Sequence, residues 1–396
     1  MIARDMTRLL KKMAQDYPVV TVTGPRQSGK TTLVQACFPR HAYANLERPD
    51  IRKLAQVDPH GFFAKFPAPI VIDEIQRVPD LVSFIQTAVD KNRKAKGQYI
   101  LTGSHQAGLH QTVSQSLAGR TALLSLLPLS LQELRTHTSD LTCDTLIWQG
   151  FMPTLHDEPL DPTTYYRNYF KTYVERDVRQ LLQIRNLSAF ERFMTLLAGR
   201  VGQVVNLSGL SGETGVSSTT LGEWLSILEA SFIIFRLPPY FANIGKRVVK
   251  SPKLYFTEVG LAAYLLGIEQ SSHVARDPLR GGLFENLVIA DILKARLNQG
   301  LDANLYYLRS DKGFEIDLIV KQGRNLVPIE IKSAMTFHSD FIQALRVFCE
   351  REPAAHFPAL IYSGETFPQI QGVHGVNYRD VCSLRGIMES VQEEPL

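Results

Sequence analysis

The chain has 396 residues, of which 44% are hydrophobic and 21% charged, and its net charge is +4. That length exceeds what one core supports and implies about two to four domains, while the ordinary composition excludes a disordered or fibrous chain. So mild a charge does not by itself imply a polyanionic partner.

In chain order, Leu9, Leu10 and Met13 lie at helical spacing within residues 1–17 and predict a short amphipathic lead-in helix. The β-branched run Val19–Thr23 predicts a buried strand, and a helix should begin near Lys30. Further strands are expected at Ala42–Leu46, Pro69–Ile72 and Tyr99–Thr102, with an amphipathic helix over Leu81–Asn92. Strands alternating with helices mean a parallel α/β sheet. From Pro128 to Gly199 the pattern is helical, with Tyr166–Ile184 a long candidate helix; Val205–Glu229 then reads as helix, turn at Gly215, helix. The last part mixes helices with alternating strands at Phe314–Val320 and Leu326–Ile331. Cys37, Cys143, Cys349 and Cys382 are far apart with no CxxC pair, so neither zinc nor a disulfide framework is expected. Met1–Pro18 lacks a signal-like apolar stretch, and the most apolar run, Ala122–Leu131, is too short to span a bilayer. The expectation is a cytoplasmic protein with no membrane partner.

Gly24, Pro25, Arg26, Gln27, Ser28, Gly29, Lys30 and Thr31 fit GxxxxGK[ST] between a strand and a helix, with Thr32 next. Such a loop wraps a β-phosphate with backbone N–H groups, aided by the partial positive charge of the helix N-terminus. Lys30 would reach the β/γ-phosphates of ATP and the Thr31 hydroxyl would ligate Mg²⁺. Downstream, the apolar run Ile70–Ile72 ends in Asp73 and Glu74. Asp73 would hold Mg²⁺ directly or through water, and Glu74 would orient and deprotonate the attacking water. Thr102 and Ser104 end the next strand, where a polar group either senses the γ-phosphate or caps a turn. Arg120 reads as an arginine finger acting on a neighbouring subunit, or as a surface arginine.

The runs GPRQSGKTT within Val19–Thr32, VIDEIQRVP at Val71–Pro79 and ILTGS at Ile100–Ser104 resemble the AAA+ branch of P-loop ATPases. With SLAGR at Ser116–Arg120, YVERDV at Tyr173–Val178 and SPKLYFTEVGL at Ser251–Leu261, the whole chain resembles a particular prokaryotic AAA+ family. Its members carry a C-terminal domain of unknown function with a nuclease-like fold. The resemblance implies an α/β fold in four parts: an AAA+ core over 1–130, a helical lid over 131–199, a winged helix-turn-helix over 200–255 and a restriction-endonuclease-like α/β domain over 256–396. It also implies a homo-oligomer, a hexamer being one form. Family members usually carry Asp where this chain has Glu258, and Glu258 is assigned no role.

Ser217 suits an N-cap, and Leu221, Trp224, Leu225 and Leu228 form a buried helical face. The helix Ser217–Glu229 carries no Lys or Arg, which argues against specific base readout. Between Ala230 and Thr257, by contrast, stand Arg236, Lys246, Arg247, Lys250 and Lys253 with no acid. Lys246, Arg247, Lys250 and Lys253 suit a wing touching DNA phosphates, a solvated basic face being the plainer reading. Asp317 followed by Glu330-Ile331-Lys332 resembles the PD-(D/E)xK nuclease signature. There Asp317 and Glu330 would hold Mg²⁺, Lys332 would position water, and Glu285 would be the helix acid beside the site. Phe314, Ile316, Leu318, Ile329 and Ile331 would face the other way. The leading reading is a DNA-associated, ATP-hydrolysing AAA+ protein that couples ATP turnover to remodelling nucleic acid, with Mg²⁺-dependent cutting through this cluster left open. The alternative is a nucleotide-dependent oligomeric switch or scaffold whose C-terminal domain binds nucleic acid without cutting.

Overall fold

A computed structural model describes residues 2–104, 116–138, 141–174, 186–240, 251–310 and 313–381. The lead-in forms α1 (Thr7–Asp16), which buries Leu10 and Ala14. Strands β1 (Val19–Thr23), β2 (Ala42–Asn45), β3 (Ile70–Asp73), β4 (Tyr99–Gly103) and β5 (Thr121–Ser125) assemble in the order β2-β3-β4-β1-β5, all parallel. Parallel strands require crossovers, here carried by α2 (Lys30–Cys37), α3 (Pro49–Val57), α4 (Pro59–Lys65) and α5 (Leu81–Lys91). Both faces of such a sheet are covered, so its strands are apolar runs and β1 is buried throughout. One face packs Val19, Ile72 and Leu101 on Leu81, Val82 and Ile85. The other packs Val20, Val22 and Ile100 on Leu33 and Val34. Because the strands share a direction, the loop after β1 and the acids ending β3 emerge on the same edge. The end of β4 lies between them.

Next come α6 (Leu131–Arg135), α7 (Cys143–Gln149), α8 (Thr154–Asp157), α9 (Pro162–Tyr169) and α10 (Leu187–Ala198). The long helix expected over Tyr166–Ile184 is α9 followed by a π-helical turn at Phe170–Val174, beyond which the chain lies outside the described residues. α11 (Leu207–Thr214) and α12 (Ser218–Ala230) are consecutive helices joined through Gly215, with Ser217 capping α12 by accepting the Thr220 N–H at 3.2 Å. β6 (Ile234–Leu237) and β7 (Lys253–Phe256) then pair antiparallel.

After α13 (Val259–Leu265) and α14 (Ser271–Val274), the buried helix α15 (Arg280–Asn298) leads into a six-stranded mixed sheet. Its strands are β8 (Leu305–Arg309), β9 (Glu315–Gln322), β10 (Asn325–Lys332), β11 (Ala359–Tyr362), β12 (Phe367–Ile370) and β13 (Val373–Asn377), in the order β12-β13-β11-β10-β9-β8. α15 covers one face and α16 (Gln343–Arg351) the other. A single apolar cluster holds Phe151, Tyr166, Phe190, Trp224, Leu254, Phe284 and Ile329. Residues on both sides of positions 131, 200 and 256 contribute to it.

One expectation about β9 is corrected. Tyr306 pairs with Ile319 and Leu308 with Ile316, so two steps along β8 oppose three along β9. This bulge interrupts the alternation. Ile316 packs with Leu345 and Phe348 of α16, whereas Leu318 joins the core on the α15 side.

Candidate nucleotide site

The loop after β1 is tightly seated. Gly24 has φ +150°, and a Cβ there would lie 2.0 Å from the Leu126 carbonyl oxygen, so no other residue fits without moving the backbone. Arg26, Gln27, Gly29, Lys30, Thr31 and Thr32 line a cavity of about 540 Å³, with Pro25 and Ser28 completing the loop. The cavity's other walls come from Ile2–Arg4, Leu129 and the start of α8 at Pro153 and Thr154.

Lys30 is 5% exposed, and its ammonium donates to the carbonyl oxygens of Gly24 at 3.0 Å and Pro25 at 2.7 Å. Burial pulls its pKa down to about 8, against the opposing attraction of Glu74 and Asp73. The buried Ser28 hydroxyl has no hydrogen-bond partner. A loop with an orphan hydroxyl and a lysine folded onto its own carbonyls is suited to receive an anionic oxygen group.

Asp73 is the hub on the neighbouring strand. It accepts from the Thr31 hydroxyl at 3.1 and 3.0 Å, from the Tyr43 hydroxyl at 2.8 Å and, closely, from Thr102. Burial and the Asp73 carboxylate hold the Tyr43 phenol well above its ordinary pKa. Glu74 has φ 58°, a left-handed backbone uncommon for a non-glycine residue, and its carboxylate lines the cavity. Ser104 donates to Glu74 at 3.2 Å; Gln76 donates to Ser104 at 3.1 Å and also to Glu74. The structure thus brings Lys30, Thr31, Asp73, Glu74 and Ser104 together on one sheet edge. Arg120 is elsewhere, at the start of β5 on the opposite edge, paired with Asp90 at 2.8 Å.

Three contributors were not singled out in the sequence. Tyr43 lies on β2, whose adjacency to β3 is a matter of topology. Gln76 is two residues past Glu74 within the VIDEIQRVP run, and that closeness was the one available hint. Arg4 donates to the Ser28 carbonyl at 2.6 Å, to the Leu127 carbonyl at 2.7 Å and to the buried Glu133 carboxylate at 3.1 Å.

Among the described residues, no three His, Cys, Asp or Glu side chains are grouped closely enough to hold one metal ion. Asp317, Glu330 and Glu285 lie near one another and each faces an ammonium. Lys332 lies 3.0 Å from Asp317 and 2.6 Å from Glu330, while Lys253 lies 3.2 Å from Glu285 and 2.7 Å from Glu315. Burial, with the nearby Asp317 charge, raises Glu285 to about 7 and lifts Glu330 well above the carboxylate range. Burial alone would also raise Asp317, but Lys332 and Lys253 hold it below its ordinary value. Lys253, expected on a phosphate-binding wing, is 2% exposed and cannot reach a DNA backbone from there. Lys246, Arg247 and Lys250 lie outside the described residues.

Residues 16–135, which hold the entire P-loop arrangement, match the family model described as an AAA domain; the class is therefore that of the AAA-type P-loop ATPases, which bind ATP. Residues 141–272 match a domain of unknown function (DUF8612), and residues 280–380 match another (DUF4143). The chain is 32% identical over 340 residues to "Uncharacterized protein Rv2008c" of Mycobacterium tuberculosis and equally to "Uncharacterized protein Mb2031c" of Mycobacterium bovis, covering 84% of this chain and 74% of each relative. It belongs to the family of these mycobacterial proteins. Among solved structures it is similar to the Walker-type ATPase PABY2304 of Pyrococcus abyssi, at 15% identity and TM-score 0.41 over 67% of this chain and 96% of that one. It is also similar to AMPPCP-bound DnaA from Aquifex aeolicus, at 14% identity and TM-score 0.30 over 58% of this chain and 89% of that one. No helix among the described residues is long and apolar enough to cross a membrane.

Proposed function

We propose that the chain hydrolyses ATP with Mg²⁺ at the Lys30 site. The observation that carries this reading is the convergence of Lys30, Thr31 and Glu74 on one cavity, with Asp73 bonded to Thr31 behind it. Lys30 would exchange the Gly24 and Pro25 carbonyls for β- and γ-phosphate oxygens, gaining anionic partners for a charge that burial disfavours. The Thr31 hydroxyl and the Asp73 carboxylate suit Mg²⁺, which commonly takes one or two protein oxygens alongside substrate phosphates. When bound, the ion would neutralise charge on the bridged phosphates. Glu74 would hold a water in line with the γ-phosphorus and accept its proton as the bond to ADP breaks. Gln76 and Ser104 hold that carboxylate and would set its direction.

Glu74→Gln tests the assignment. Nucleotide binding should persist while phosphate release falls by about 10²–10⁴-fold, the range for loss of a general base. Hydrolysis at the wild-type rate would remove Glu74 from this role. Lys30→Met should lose nucleotide binding altogether.

The nucleotide site is proposed to serve an assembly acting with DNA, supported by the cation-bearing segment of Lys246, Arg247 and Lys250 beside the helix-turn-helix. Arg120 would act on a neighbouring copy, exchanging its Asp90 partner for that copy's nucleotide. Salt-sensitive DNA binding, and ATP-dependent oligomerisation measured by light scattering, check these two points. Within this reading a specific observation favours the version in which the C-terminal domain binds without cutting. The Asp317 and Glu330 carboxylates pair with Lys332, and Glu285 pairs with Lys253.

A further inference from the structure

Lys253 is the first residue of β7, and its backbone is held from two sides. It pairs with Leu237 of β6 and forms an isolated antiparallel bridge with Val204. From this fixed point its side chain enters a pocket of acids belonging to other parts of the chain: Glu285 from α15 and Glu315 from β9. The Tyr255 hydroxyl, two residues along β7 and on the same strand face, also donates to Glu285, at 2.5 Å. The Tyr307 ring closes the pocket 5.4 Å from the ammonium. On the adjoining side Lys332 covers Asp317 and Glu330.

We infer that Lys253 is the resident cation of this carboxylate cluster, excluding a divalent ion and locking the β6–β7 hairpin onto the C-terminal sheet. This rests on the reading that the C-terminal domain does not cut, and supplies a physical reason for it. A divalent ion would need carboxylate oxygens at about 2.0–2.6 Å, and Lys253 on Glu285, with Lys332 on Asp317 and Glu330, competes for those oxygens. The charge balance agrees. Four carboxylates meet two ammonium groups, and Arg309 lies 3.6 Å from Glu315. Those three cations leave the four carboxylates about one net negative charge with which to attract a further cation. The bulge in β9 contributes, because it breaks the strand's alternation within the residues that include Asp317.

The test is a Mn²⁺ titration of the full-length, nucleotide-free chain, following free Mn²⁺ by electron paramagnetic resonance, with Asp73→Asn as the background so that the P-loop edge contributes nothing. Lys253 intact should leave Mn²⁺ free, and Lys253→Met should take up one ion at least about tenfold more tightly. Lys253→Arg, which keeps the charge, should stay indifferent to Mn²⁺. A folded Lys253→Met protein that gains no Mn²⁺ binding overturns the inference. So does Mn²⁺ binding with Lys253 intact that Glu285→Gln or Asp317→Asn abolishes, and this arm remains decisive even if Lys253→Met does not fold. DNA breakage is scored separately: cutting by the wild type sinks the non-cutting reading, whereas Mn²⁺ binding without cutting sinks only the role given to Lys253.

Discussion

The guanidinium of Arg4 donates to the carbonyl oxygen of Ser28 at 2.6 Å, so a residue from the N-terminal lead-in holds the phosphate loop from outside. Its Nε meets the Glu133 carboxylate at 3.1 Å, and the two side chains are 7% and 0% exposed. Glu133 also accepts the backbone N–H groups of Asp5 and Ser130, at 2.8 and 2.9 Å.

Arg4→Ala would leave that carboxylate buried without its ion-pair partner. The expected cost is about 3–5 kcal/mol of unfolding free energy, the range for breaking a buried pair from one side. Urea unfolding measures it, and adding Glu133→Gln should recover part of the loss. A cost under about 1 kcal/mol would show that the pair contributes little.

Lys30 makes nucleotide affinity pH-dependent. Its free-state pKa is lowered to about 8, chiefly by burial, and bound phosphates favour the protonated form. The bound state therefore holds the proton more tightly than the free state, so binding takes up a proton above pH 8. Affinity for a non-hydrolysable ATP analogue should fall by about tenfold between pH 7 and pH 9. Calorimetry in two buffers of different ionisation enthalpy would register the proton uptake, and a flat profile would contradict it.

Tyr43 donates to the same Asp73 carboxylate proposed to serve Mg²⁺. Tyr43→Phe removes that competitor and should lower the Mg²⁺ concentration for half-maximal ATPase activity. A hydrogen bond worth about 0.5–1.5 kcal/mol corresponds to roughly two- to tenfold. A rise instead of a fall would mean that Tyr43 orients Asp73 for the metal.

Gly150 has φ 67° and ψ −159°, and a Cβ there would lie 2.1 Å from both Glu258 Oε1 and the Tyr166 hydroxyl oxygen. Glu258 is buried and accepts from the Phe151 N–H at 2.9 Å and from Tyr166 at 3.1 Å, so the neighbour cannot easily move. Gly150→Ala should cost about 2–5 kcal/mol from backbone strain plus overpacking, read as a drop in urea midpoint. An unchanged midpoint for Gly150→Ala would show that this junction can relax.

Glu258 illustrates what was hidden in the sequence. It could be set against the Asp usual in resembling chains, but its partners, Phe151 and Tyr166, are about a hundred residues away in the chain. Lys253 was misread for a related reason. Its neighbours in the chain are basic and apolar, whereas Glu285 and Glu315 reach it only through packing. The helix α12 was legible in full, cap and buried face together, because both are set within one turn or two of the same segment.

The sequence by itself determined the features whose physics is local. The glycine-rich loop, its lysine at a helix start, and an apolar strand ending in two acids each depend on residues a few positions apart. Strand order, and with it the meeting of Thr31, Tyr43, Thr102 and Asp73, was decided only in three dimensions. The same holds for the C-terminal cluster. A pattern of acids and a lysine states which charges are present; whether those charges bind a metal or each other depends on what is packed against them. Here a lysine from another strand pairs with the partly buried Glu285, because a carboxylate removed from water needs either a cation or a proton.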